Sequence, residues 1–254
     1  MIINNIFQNQ FFLKFKKIYK YKNEKIFLLE DISLDGGVQR LVLDICKEIK
    51  EPILVVYISK SLKSSEKVFS KFSDILKVSF LDLIFIGLLI RLLNSKINVI
   101  HSHLSKPFYI SFLLPSVKKI YTEHNTWNKR RNILFCKFID PYFYQKYDYV
   151  ICISKGVRIS LESFLGRYVE NTKLININNW SSSIFDFELL NIKKLILKRN
   201  DSLFNKKMKC IMVGSFCDQK KQIDLLAILE KFNYLEITFV GDGKYLDYFK
   251  KEVK

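Results

Sequence analysis

The sequence predicts an α/β fold built on a parallel sheet with crossover helices. Short apolar runs alternate with longer amphipathic segments from Lys25 onward, as strands alternate with the helices that join them. The runs are dense in Ile, Leu, Val and Phe, which suits strands buried on both faces. An apolar content of 49% with only 4 prolines favours a packed core over disorder. At 254 residues the chain accommodates one large α/β domain, or one domain and part of another.

Residues 1–23 precede the first core strand. On a helix, Phe11, Phe12, Phe15, Ile18 and Tyr19 share a face opposite Lys14, Lys16, Lys17 and Lys20, while Leu13 and Tyr21 break the pattern. Two readings stand: a basic amphipathic helix lying on an anionic membrane, or a helix packed on the domain with solvated lysines. Buried strands are expected at Ile26–Leu29, Ile53–Ile58, Val78–Phe80, Val99–His101, Lys119–Thr122, Tyr149–Ile153 and Lys173–Ile177. Helices are expected at Gln39–Ile49, Leu81–Leu93, Phe108–Leu114 and Lys155–Phe164. A linker and helix-like stretch at Phe187–Lys198 and polar punctuation at Asn200–Lys207 then open a second block. It holds strand Cys210–Val213, helix Ile223–Lys231, strand Glu236–Val240 and a helix from Tyr245. Two strands and two helices cannot cover both faces of a parallel sheet, so an exposed strand edge is expected there. The expected division is an N-terminal extension at 1–23, a first domain at 24–183, and a linker with an incomplete second domain at 184–254.

A formal net charge of +17 attracts anions: nucleic acid, acidic lipid headgroups or phosphorylated small substrates. Nucleic acid is disfavoured, because the lysines are dispersed and no nucleic-acid motif is present. Cys46, Cys136, Cys152, Cys210 and Cys217 form no C-x-x-C pair and no metal-ligand spacing, so reduced thiols, a cytoplasmic location and no metal site are expected. Lysines from Lys14 onward preclude a signal-peptide pattern, and Leu83–Ile90 is far shorter than the roughly 20 residues of a spanning helix.

The first motif with chemistry is Asp35-Gly36-Gly37-Val38-Gln39-Arg40, which follows a strand and opens a helix. Paired glycines let backbone amides approach a ligand, and the helix N-terminus favours an anion such as a diphosphate. Alone, such a turn serves equally well as a simple connector. Ligands of open α/β sheets bind beyond the carboxyl ends of strands. Further polar clusters follow strands here: His101-Ser102-His103, Glu123-His124-Asn125, Ser154-Lys155-Gly156 and Asn178-Asn179. All 3 histidines of the chain are among them.

In order, ISLDGGVQR, VIHSHLSKP, IYTEHNTWNKRR, YDYVICISKGV, LININN, CIMVGSFCDQKKQIDLL and ITFVGDGKYL resemble the family-4 glycosyltransferases and their GT-B relatives, from about Lys25 to the last residue. The resemblance implies two Rossmann-like domains across a cleft, with the acceptor on the N-terminal side and a nucleotide-sugar on the C-terminal side. It places Gly36, Gly37 and Arg40 at the donor diphosphate and His103 near the anomeric carbon. On the acceptor side it places His101, Glu123, His124, Asn125 and Ser154. Lys220 matches the cleft lysine that offsets charge on the departing diphosphate, with Lys221 as the alternative register. Ser215, Gly241, Asp242 and Gly243 fall at the nucleotide. The implied reaction is a retaining hexosyl transfer by front-face attack, with the nucleotide-sugar as co-substrate, no cofactor and no metal. Such enzymes commonly build envelope glycans on lipid-linked acceptors at the cytosolic membrane face. The basic and aromatic run Trp127–Arg131, Phe135, Phe138, Tyr142 and Phe143 suits that peripheral setting and suits a core equally. Plainer roles stand beside these: His101 as a buried or capping partner, the Lys220–Lys221 pair as a solvated helix start, Asp242 as a turn residue.

Ser215 departs from the family's arginine, losing a bidentate phosphate partner, and Asn178-Asn179 replaces the common Asn-Gly. The chain stops at Lys254, ahead of the family's base-binding strands and Glu-x7-Glu segment. The donor-side domain is therefore expected to be cut short, leaving the chain inactive or dependent on a separately encoded second half. A reading of another class is a non-catalytic Rossmann-like module that binds an acidic glycan, lipid headgroup or partner enzyme without transferring sugar.

Overall fold

The computed structural model describes residues 2–59, 62–179, 208–218 and 220–253, and their side chains except those of residues 2–9 and 129. It divides into two compact units, Met1–Trp180 and Ser181–Lys254.

In the first unit, β1 (Lys25–Leu29), β2 (Ile53–Tyr57), β3 (Asp74–Lys77), β4 (Ile97–His103), β5 (Ser116–Glu123), β6 (Tyr149–Cys152) and β7 (Leu174–Asn176) form one 7-stranded sheet. The order is β3-β2-β1-β4-β5-β6-β7 and every pairing is parallel. The direction of winding reverses between β1 and β4, and such a switch point leaves a crevice beyond the carboxyl ends of the strands.

Helices α1 (Ile2–Lys20), α2 (Gly37–Glu48), α3 (Lys63–Phe69), α4 (Phe80–Leu92), α5 (Ser105–Ile110), α6 (Leu134–Gln145) and α7 (Lys155–Leu165) complete the unit. Successive strand side chains point to opposite faces, so β1 and β2 feed two separate cores. Ile26, Leu28, Leu54 and Val56 pack with Ile18 of α1 and Leu83, Ile86 and Ile90 of α4. Phe27, Leu29, Val55 and Tyr57 pack with Val42 and Leu43 of α2 and Phe69 of α3. A third cluster joins Phe108, Tyr121, Tyr144, Val150 and Leu161 of α5, β5, α6, β6 and α7.

The aromatic face foreseen for α1 is turned inward except at Phe12, which is exposed. Ile18 and Tyr21 are buried, Phe11, Phe15 and Tyr19 pack against them, and Lys14 pairs with Asp82 at 2.7 Å. The packed reading of that face holds, and Tyr21, which breaks the helical pattern, is itself core. The expected strand Val78–Phe80 does not form. The strand lies four residues earlier at Asp74–Lys77, and Ser79 and Asp82 close a capping box that starts α4 at Phe80. The expected helix Phe108–Leu114 begins earlier, at Ser105, and gives way to a 3-10 turn at Ser111–Leu113. Helices α3 and α6 were not anticipated.

In the second unit, β8 (Met208–Val213) pairs in parallel with β9 (Leu235–Val240), and α8 (Leu226–Lys231) and α9 (Leu246–Glu252) follow the strands. Among the described residues, one face of the pair leaves Ile211, Val213 and Val240 exposed. The stretches Phe187–Lys198 and Asn200–Lys207 lie outside the described residues.

Candidate functional site

The β1 tip is shaped by one carboxylate. Asp31 accepts from Ser33 N and from Gln39 Nε2, both at 2.9 Å, which draws the buried Gln39 side chain back over the turn. A Cβ on Gly36 would fall 2.0 Å from Gln39 Oε1, so any larger residue here would displace the Gln39 side chain from Asp31. A Cβ on Gly37 would meet no atom within 4 Å, so the start of α2 is open above it. The first-turn amides of a helix have no intrahelical acceptor and carry its positive dipole end. Arg40 Nε donates to Leu34 O at 2.7 Å, holding the guanidinium along the same loop.

The histidines gather at the β4 and β5 tips. His101 and His103 share a sheet face by the two-residue period of β4, and the register sets them beside Phe27 of β1 and Thr122 of β5. His101 Nε2 lies 2.8 Å from Thr122 Oγ1, and His103 Nδ1 lies 3.0 Å from His124 Nε2. The His101 and His103 rings sit 4.3 Å apart, with the His124 ring 5.3 Å beyond. Burial, then the neighbouring His124, pushes His101 down to about 3. Burial alone pushes His124 down to about 4, and burial with both neighbours holds His103 well below the ordinary imidazole value. All are therefore neutral near pH 7. His103 Nε2 is buried and has no hydrogen-bond partner among the described residues. Leu104, the next residue, has φ 69° and ψ 177°, a conformation that is essentially glycine's alone.

Glu123 is buried beneath the loop that carries His124. Tyr144 Oη donates to its carboxylate at 2.5 Å, and Arg131 Nη2 and Arg130 Nη2 lie 3.5 and 3.8 Å away. Arg130 also pairs with Asp140 at 2.9 Å and stacks 4.2 Å from the Phe108 ring centre. Arg131 reaches Thr126 O and Ser160 Oγ, both at 3.1 Å. Asn125 is exposed, and its amide donates to Glu123 Oε1 at 3.4 Å. Ser154 caps α7 by accepting from Val157 N at 3.2 Å. The structure thus brings Gly36 and Gly37, His101 and His103, Glu123 to Asn125, and Ser154 to the carboxyl ends of the neighbouring strands β1, β4, β5 and β6. Sequence reasoning missed the arginine pair as a buried element. Its signal was the presence of Glu123 and Asp140, isolated acids within apolar and aromatic runs.

In the second unit, Gly241 and Gly243 have φ 151° and 152°. A Cβ would fall 2.1 Å from Gly214 O at the first and 2.5 Å from Phe216 O at the second. The two strand-tip loops are laced by Gly214 N to Val240 O and Phe216 N to Asp242 O, each at 2.9 Å. Only glycine permits that backbone approach. Asp242 Oδ1 accepts from Gly243 N at 2.7 Å. Ser215 is exposed, and its carbonyl accepts from Gln222 Nε2 at 2.9 Å. The Lys220 stem lies 3.6 Å from where a Gly214 Cβ would sit, and its ammonium makes no ion pair among the described residues. Lys221, left-handed at φ 50°, starts the 3-10 turn Gln222–Leu225. A cavity of about 640 Å³ is lined by residues that include Phe216, Gln222, Ile223, Tyr245, Tyr248 and Phe249. Among the described residues no His, Cys, Asp or Glu cluster is arranged to hold a metal, and no helix is long and apolar enough to cross a membrane.

The family model described as Glycosyltransferase Family 4 matches residues 35–179. Comparison with curated proteins gives no match. Among solved structures, the chain is similar to Anabaena HepE in complex with UDP and glucose, at 16% identity and a TM-score of 0.60 over 89% of this chain. It is also similar to a glycosyltransferase from Rickettsia africae, at 18% identity and a TM-score of 0.57 over 92% of this chain. The chain spans 64% of the length of each. These likenesses show a GT-B type fold.

Proposed function

The chain belongs to Glycosyltransferase Family 4, and on that footing we propose that it serves the transfer of a sugar from a nucleotide-sugar to a glycan acceptor. The finer reading is a retaining hexosyl transfer to a lipid-linked acceptor at the inner membrane face, for cell-envelope polysaccharide. The observation that carries the proposal is the convergence of an open helix N-terminus and the neutral histidines on the tips of the adjacent strands β1, β4 and β5.

Cleaving a bond between sugar and phosphate builds negative charge on the diphosphate, and fixed dipoles and cations stabilise it where it develops. Within the first unit the Gly37 end of α2 supplies amides and a dipole; for Lys220 of the second unit, the charge-offsetting role is the one the family resemblance assigns. The half-exposed His124, held neutral, offers a hydrogen bond to a sugar hydroxyl, and the buried His103 backs its ring through the contact between His103 Nδ1 and His124 Nε2. The acceptor hydroxyl loses its proton to a donor phosphate oxygen as its own oxygen bonds the anomeric carbon, so no protein carboxylate need take it. Glu123, bound to Arg131 and Tyr144, holds the His124 loop. The exposed Phe135, Phe138 and Tyr142 on α6 supply apolar surface for a lipid-linked acceptor.

HepE bound to UDP and glucose makes UDP-glucose the first donor to test. UDP release would be followed with the chain and a lipid-linked glycan acceptor. Loss of a charge-stabilising group typically costs about 10²–10³ in rate, and Lys220→Ala is expected to fall in that range. Release that persists unchanged in both Lys220→Ala and His103→Ala would remove these roles, and absence of release with every nucleotide-sugar tried would remove the function.

A further inference from the structure

The contact between His103 Nδ1 and His124 Nε2, at 3.0 Å, constrains where the ring protons sit. Two N–H groups cannot face each other at that distance, and two bare nitrogens would repel, so one nitrogen donates and the other accepts. Both imidazoles are neutral, and a neutral imidazole holds a single ring proton, so the choice made at this contact fixes both rings. In one arrangement His103 Nδ1–H donates, His103 Nε2 is bare, and the proton of His124 is on Nδ1. In the other His124 Nε2–H donates, His124 Nδ1 is bare, and the proton of His103 is on Nε2.

The surroundings of His103 separate the two. Its side chain is at 0% exposure, and Nε2 meets no hydrogen-bond partner among the described residues. The ring packs against His101 at 4.3 Å and Phe27 at 5.9 Å, so turning it toward another partner would break that stack and the contact with His124. His101 gives no relief, because its Nε2 is engaged with Thr122 Oγ1 at 2.8 Å. A proton on His103 Nε2 would be a stranded buried donor, whereas a bare nitrogen there leaves only an acceptor idle. Orphaned buried N–H groups are the rarer of the two in folded proteins. His124 Nδ1, in contrast, has no partner among the described residues yet is not sealed from solvent. We propose that His103 is a positioning residue, which donates through Nδ1 to His124 Nε2 and so fixes His124 as the tautomer that presents an Nδ1–H donor to a ligand. The group this fits is an oxygen lone pair, on a hydroxyl, a carbonyl or a phosphate. A ligand ammonium finds no acceptor there, and His124 in this form takes no proton from a hydroxyl. The inference deepens the proposed sugar transfer and rests on that reading only for the identity of the ligand.

Long-range proton–nitrogen correlation spectra of the full chain, carrying isotope-labelled histidine and no nucleotide or sugar, test it. The sequence holds 3 histidines, so His101→Gln and His103→Phe each remove one set of ring signals and assign all of them. Near neutral pH the ring proton is expected on Nδ1 of both His103 and His124. For His124 the preference over Nε2 should be at least about tenfold, equivalent to about 1.4 kcal/mol. His103→Phe keeps a ring beside Phe27 but removes the donor, and it should let both tautomers of His124 populate. Circular dichroism checks its fold, and should it prove misfolded the parent spectrum decides alone. The proposal is overturned by a proton on His124 Nε2, by a parent chain in which His124 mixes its tautomers, or by a folded His103→Phe that leaves the tautomer of His124 as it was. The spectra do not depend on turnover. A wrong tautomer leaves sugar transfer standing, and a failed UDP-release assay leaves the tautomer standing.

Discussion

Replacing Glu123 by Gln keeps the shape of the side chain and its contact with Tyr144 but removes a buried charge. The group formed by Glu123, Asp140, Arg130 and Arg131 carries two charges of each sign, so the substitution leaves one uncompensated positive charge. At 3.5 Å from Arg131, an effective dielectric of about 20 gives a lost attraction of about 5 kcal/mol. Arg131 keeps its bonds to Thr126 O and Ser160 Oγ, which moderates the loss. Breaking a buried pair from one side typically costs about 3–5 kcal/mol, and that range is expected here. For a unit of this size it lowers the melting temperature by about 6–20 °C. Urea and thermal unfolding followed by circular dichroism would measure it. A companion Arg131→Met change removes the stranded charge and should restore at least half of the loss. A cost below about 1 kcal/mol for Glu123→Gln, or no recovery in the double variant, would show that the network does not hold the loop in the way described.

Two further outcomes are expected. The histidines have folded-state values depressed below that of the unfolded chain, so unfolding takes up protons as pH falls and stability drops below about pH 6.5. Each contributes a loss of about 1.4 kcal/mol between pH 7.5 and 5.5, about 4 kcal/mol in all. His101→Asn should flatten the urea-derived profile by about a third, and an unchanged slope would mean that its imidazole is not kept neutral. Leu104→Gly releases backbone strain of about 1–3 kcal/mol against the lost side chain and the greater freedom of glycine in the unfolded chain. Its stability is therefore expected to stay within about 1 kcal/mol of the parent, and a loss of the size typical for a leucine deletion would show that the strain is not there.

The central sheet was legible because β1 and β2 are short runs of Ile, Leu, Val, Phe and Tyr, and β4 to β6 carry shorter apolar cores of the same kind. Strand β3 was not, since Asp74-Ile75-Leu76-Lys77 is a four-residue edge strand with polar ends, and the more apolar Val78-Ser79-Phe80 beside it draws the eye. Helix α6 was hidden by Pro141 in its interior and by an aromatic content that suits strand as well as helix. The clustering of the histidines could be anticipated from their place after two apolar runs, because strand ends in one sheet are neighbours. Their neutrality could not, since it follows from burial that only the folded chain creates. The same holds for Glu123, whose partner Tyr144 is 21 residues away and whose arginines read as a solvated basic stretch.

The charged and neutral groups at the strand tips divide by task. Around the β1 and β4 tips the charged side chains are committed: Arg40 to the Leu34 carbonyl, Lys106 to Glu30 at 2.5 Å, Asp31 to Ser33 and Gln39. At the β5 tip Glu123 is committed to the buried arginines. What stays available is neutral: the first-turn amides of α2 and the half-exposed His124 ring, backed by the buried His103. A surface of that kind pairs with hydroxyls and phosphate oxygens through directional hydrogen bonds and places no net side-chain charge against them. Discrimination between sugars should therefore follow the geometry of hydroxyl contacts, where a site built to bond a hydroxyl rejects an analogue lacking it far more strongly than an apolar pocket rejects a missing methylene.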